Sequence, residues 1–195
     1  MASQLEKYSE WLDILSLEYE VARSTGYRDL DEKDVKKIFE ESFKVNELVK
    51  NTNEYRLLTA QLFMRITHGG IVRNKSDLMP FRKLIDQPAL ANENEAATFQ
   101  AKLCFYQCHN AFHFMSSDYE KAYSYNLKMA ILLEQNPIQL KERLRTYIYT
   151  LQNIIVCQMN LYLEEEVHST IKKLRALEVH QANLKNEVFY ISYNM

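Results

Sequence analysis

At 195 residues the chain is long enough for one sizeable core and too short to demand two globular domains. Its 24 basic and 26 acidic residues nearly cancel, which argues against nucleic acid as a partner. No apolar run approaches the ~20 residues that span a bilayer, and three Gly with three Pro are too few for a sheet held by tight hairpins.

The first predicted helix carries Leu5, Tyr8, Leu12, Leu15, Tyr19 and Ala22 in steps of three and four, and ends at Ser24-Thr25-Gly26. The second starts at Asp31, with Asp as its cap, and buries Val35, Ile38, Phe39, Ser42, Val45, Leu48 and Val49. Asn51-Thr52-Asn53 interrupts the pattern, so a third helix is expected through Tyr55, Leu58, Leu62 and Ile66, ended or kinked by Gly69-Gly70. Ser76 is expected to cap a short helix, Asp77 to Asp86, with Pro80 in its first turn and Pro88 beyond its end. Ala89 to Asn94 reads as loop.

From Asn94 onward, Ala97, Ala101, Cys104, Cys108 and Ala111 form a stripe of small residues that lets a neighbouring helix come close. Ser117 and Glu120, three apart, read as a capping box for the next helix. Asn136-Pro137 then opens one helix carrying Leu140, Leu144, Ile148, Leu151, Ile155 and Met159. Glu164-Glu165-Glu166 load the first turn of the following helix, whose core face is Val167, Ile171, Leu174 and Leu177. The last helix, from Leu184, is rich in aromatics: Phe189, Tyr190 and Tyr193.

Tyr123, Leu127, Ala130 and Glu134 recur forty-four residues later as Val167, Ile171, Leu174 and Glu178. A period near forty with two helices per unit is the signature of an α-solenoid. The run Asn110 to Ala122, with Asp118-Tyr119-Glu120-Lys121-Ala122 opening a second helix, resembles the junction of a tetratricopeptide repeat. The resemblance implies an all-α fold: antiparallel helix pairs stacked as a right-handed α-α superhelix of about eight to nine helices in a single domain over 1–195. It also implies a non-catalytic scaffold that binds a protein or peptide along a groove. Gln107, Phe114, Tyr147, Thr150 and Gln158 are the residues expected to line that groove. A peptide-sensing regulatory module is the alternative, and a metal-binding or enzymatic helical protein is the second.

The chemistry-bearing clusters favour structural readings. Cys104 and Cys108 share one helix face and His109 and His113 another, about 100° away, so the four cannot close on one ion. Glu164 to Glu166 with His168 fan around a helix. The clusters Arg143/Arg145 and Lys172/Lys173/Arg175 are too sparse for nucleic acid. No nucleophile elbow, Walker loop or zinc-protease run is present, so no catalytic residue, metal or cofactor is expected. Three Cys and no apolar leader in Met1 to Glu6 point to reduced thiols and a cytoplasmic protein. The apolar last helix suggests either the N-terminal part of a longer protein or self-association through that helix.

Overall fold

The computed structural model describes residues 6–28, 30–69, 72, 74 and 76–194. Among them every regular element is helical: α1 Tyr8–Ser24, α2 Glu32–Gly69, α3 Met79–Ile85, α4 Pro88–Ala91, α5 Phe99–Met115, α6 Tyr119–Glu134, α7 Pro137–Glu142, α8 Leu144–Asn160, α9 Glu164–Arg175 and α10 Ala182–Asn194. A 3-10 turn, Glu93–Glu95, joins α4 to α5. The chain is all-α, with ten helices where eight or nine were expected. Leu5 and Gly70 lie outside the described residues.

The largest departure from the sequence pattern is α2, one 38-residue helix where two were expected. At 1.5 Å per residue it runs about 57 Å. Asn51 and Thr52 are polar because they face a partner loop, not because the helix stops. The Asn51 carboxamide donates to the Glu95 carbonyl at 2.8 Å and accepts from the Ala97 amide at 2.9 Å. Thr52 meets the Thr98 hydroxyl at 2.9 Å in the buried interior. Its start matches expectation: Asp31 Oδ1 accepts from the Asp34 amide, and Asp34 Oδ2 accepts from the Asp31 amide, a reciprocal capping box.

Three smaller corrections have local causes. Residues 88–91, read as loop, form a helical turn because Pro88 occupies its first position with φ already set. The single helix expected from Pro137 breaks at Arg143 (φ −116°, ψ 31°), where the Arg143 side chain donates back to Gln139 Oε1 at 2.9 Å. Asp118, not Ser117, caps α6 by accepting from the Lys121 amide. Ser117 instead takes a left-handed φ of 59° beyond the end of α5, and the Asp118 amide reaches back to the His113 carbonyl at 2.9 Å. Tyr162 repeats that geometry after α8, with φ 59° and the Leu163 amide on the Gln158 carbonyl at 2.9 Å. The two pairs α5/α6 and α8/α9 therefore share one turn.

Side-chain contacts give the helix directions. Thr52 meets Thr98 and, further along both chains, Thr59 meets Cys108, so α2 and α5 run parallel, with α3 and α4 as the return. Tyr147 at the start of α8 reaches Glu134 at the end of α6, and Gln158 near the end of α8 reaches Tyr123 near the start of α6. That pair is antiparallel. Hence α2, α5 and α8 point one way and α6 and α9 the other. Packing proceeds in order, α1 on α2, α2 on α5, α5 on α6, α6 on α8, α8 on α9 and α9 on α10. The buried core follows this line from Tyr55 and Leu62 through Leu103, Cys104 and Cys108 to Leu133, Ile148, Ile155 and Leu174. At the near end, Glu6 accepts from the Phe99 and Gln100 amides, the second at 2.9 Å, supplying acceptors that the first turn of α5 lacks.

Candidate groove on the like-directed helices

The parallel helices α2, α5 and α8 share one side, and a cavity of about 360 Å³ opens there. Phe63 comes from α2, Gln107 and Asn110 from α5, and Met129 from α6. Thr146, Tyr149, Thr150, Gln152 and Asn153 come from α8. None of these side chains carries a formal charge. Carboxamides and hydroxyls dominate the lining, with Phe63 and Tyr149 as exposed rings. Local packing fixes the positions: Thr150 donates to the Thr146 carbonyl at 2.8 Å, and Asn110 Oδ1 accepts from Asn126 Nδ2 at 2.7 Å.

The five residues singled out from sequence separate in space. Gln107 and Thr150 line this cavity together. Gln158 opens to a different cleft of about 270 Å³ between α6 and α9, where it donates to Tyr123 at 3.3 Å. Tyr147 is 2% exposed and belongs to the core, its hydroxyl donating to Glu134 at 2.7 Å. Phe114 lies at the far end of α5, edge-on to Tyr119 at 5.6 Å, and lines neither cavity. The reason is angular: Tyr147 and Thr150 are three apart but flank opposite edges of the α8 apolar stripe, and only one edge faces α5.

Sequence reasoning passed over Asn110, Thr146, Tyr149 and Asn153. The signal was present. Thr146, Tyr149, Thr150 and Asn153 are spaced i, i+3, i+4, i+7, an uncharged polar stripe beside the apolar stripe of Ile148, Leu151 and Ile155.

The cysteine and histidine pairs diverge as their spacing required. Cys108 meets Thr59 at 3.4 Å on the α2 side, and Cys104 takes a contact from Gln100 at 3.3 Å. His109 and His113 instead sandwich toward Tyr125, at 4.6 Å and 5.7 Å between ring centroids. Among the described residues no group of three or more His, Cys, Asp or Glu could hold a metal ion. Burial pushes the Cys108 thiol up to about 12 and the Cys157 thiol to about 11, so both stay protonated. Burial also holds the His109 imidazole below its ordinary range while its Nε2 bonds the Leu90 carbonyl at 2.9 Å. A third polar tie lies at the 3-10 turn, where Glu93 takes Lys128 at 2.8 Å and the Tyr106 hydroxyl. Its carboxyl sits below the usual range because those two donors hold the anion. These are anchors between elements, with no nucleophile poised beside a base.

No helix among the described residues is long and apolar enough to cross a membrane. Comparison with protein-family models, with curated proteins and with solved structures finds no match for this chain.

Proposed function

We propose that this chain is a non-catalytic scaffold whose α2/α5/α8 groove binds a peptide segment in extended conformation. The observation that carries the reading is the uncharged, amide-rich lining contributed by three helices of one direction. A carboxamide both donates and accepts, so Gln107, Asn110, Gln152 and Asn153 suit the alternating N–H and C=O groups of an extended backbone. Phe63 and Tyr149 supply flat apolar surface for its side chains. An uncharged lining favours a segment poor in Asp, Glu, Lys and Arg, because a charge brought there would lose water without gaining a counter-charge. The repeated turn at Ser117 and Tyr162 supports a tetratricopeptide-like right-handed superhelix, in which helices of like direction line one face. We favour this over an enzyme.

The test is selection from a displayed library of random peptides, followed by titration of the enriched sequence against two proteins. The triple variant Gln107→Ala, Gln152→Ala, Asn153→Ala should bind about tenfold or more weakly, a loss of at least ~1.4 kcal/mol. Its stability should stay within about 1 kcal/mol of the parent, since the three side chains are half-exposed. Unchanged binding by the triple variant would reject the groove.

A further inference from the structure

The first half of α2 has no packing partner of comparable extent other than α1. Residues beyond Thr52 carry the contacts to α5, so α1 and the N-terminal turns of α2 form a two-helix arm extending past the start of α5. One flank of this arm is apolar and open. Ile14, Leu17 and Val21 are 49%, 64% and 61% exposed. With Leu30 and Ile38 they line a cleft of about 500 Å³.

A two-helix hairpin buries only the seam between its helices, and an open apolar flank is half of a helix bundle. The charges beside the flank indicate the other half. On a helical projection at 100° per residue, Asp13 and Glu20 edge the Ile14–Leu17–Val21 stripe on the side away from α2. Lys37 and Lys44 edge the same flank on the outer side of α2. All four are exposed. One edge is therefore acidic and the other basic. Turning a second arm by 180° about an axis through the flank sets α1 of one copy over α2 of the other, acid against base on both edges. A self-complementary patch of this kind is what an isologous two-fold contact requires, and two-fold dimers are the commonest closed oligomers.

We infer that two copies of this chain pair through their α1–α2 arms, flank to flank, closing an antiparallel four-helix bundle. The contact is distinct from the α2/α5/α8 groove and does not depend on it.

Sedimentation of the full chain over a range of concentrations should give twice the single-chain mass, falling to the single-chain mass on dilution. Leu17→Glu with Val21→Glu should abolish the heavier species without changing helix content, because both positions face solvent in the single chain. Phe189→Glu with Tyr190→Glu, on the exposed aromatic face of α10, should leave the mass doubled. Asp13→Lys and Lys37→Glu should each weaken pairing alone, and an equimolar mixture of the two should recover it. A single-chain mass at every concentration would overturn the inference. So would dissociation by the α10 variant but not the α1 variant, or a mixture that recovers nothing.

Discussion

Tyr147→Ala should destabilise the protein by about 3–5 kcal/mol, read as a lower denaturant midpoint with little change in slope. Tyr147 is almost wholly enclosed, and its ring fills the space where α6, α8 and α9 meet. Its hydroxyl donates to Glu134, which also takes Lys173 Nζ at 2.7 Å, so one carboxylate ties three helices. Truncation removes the ring, leaves a cavity that rigid helices only partly close, and withdraws one of the two donors from Glu134. Tyr147→Phe separates these effects. It keeps the ring and loses only the hydroxyl, at a cost near 1 kcal/mol. Had Tyr147 lined a groove, as its position in the sequence suggested, truncation would cost well under 1 kcal/mol. The midpoint shift decides between the two placements.

Asn126→Asp should be the more damaging of the conservative changes, costing about 3–5 kcal/mol at neutral pH. Asn126 is fully buried on α6 between α5 and α8. Its Nδ2 donates to Asn110 Oδ1 at 2.7 Å and to the Ala122 carbonyl at 3.0 Å, and approaches Cys157 Sγ at 3.9 Å. An aspartate would turn that donor into an acceptor, set an anion against two oxygens, and add a charge without a cation nearby. Burial would raise its carboxyl above the unfolded value, so the folded state would hold a proton that the unfolded state releases. The penalty therefore grows as pH rises through the ordinary carboxylate range and is relieved as pH falls. Denaturation curves at acid and neutral pH should show the variant closest to the parent at the acid end. A pH-independent loss would place Asn126 in contact with water.

Elements set by periodicity were legible in the sequence, and so was the register of the core. The stripes on α5, α6, α8 and α9 are where spacing put them, and the forty-four-residue recurrence reappears as a shared turn after α5 and α8. Failures arose where a polar residue had a distant partner. Asn51 and Thr52 looked like a helix end because their partners, Glu95, Ala97 and Thr98, lie more than forty positions away. Spacing within one helix cannot report such a contact. Ser117 looked like a cap because Glu120 follows it, but Asp118 competes for the same role and leaves Ser117 to reverse the chain. The groove was half legible for an angular reason. Gln107 and Thr150 point into the shared side, whereas Tyr147 and Gln158 lie at other angles on the same helix, and Phe114 sits a full turn too far along α5. Choosing among them required knowing that α5 and α8 run parallel. That follows from α6 lying antiparallel to both, a fact of tertiary packing.

The reading that helices of like direction form a peptide-binding face is tested most directly by amide chemical-shift mapping. Isotope-labelled chain would be titrated with a peptide enriched from the random library. Perturbations should gather on Gln107, Asn110, Tyr149, Thr150 and Asn153, and vanish in the Gln107→Ala, Gln152→Ala, Asn153→Ala variant. Perturbations gathered on the α6/α9 cleft around Gln158 and Lys173, or spread evenly over the chain, would contradict it.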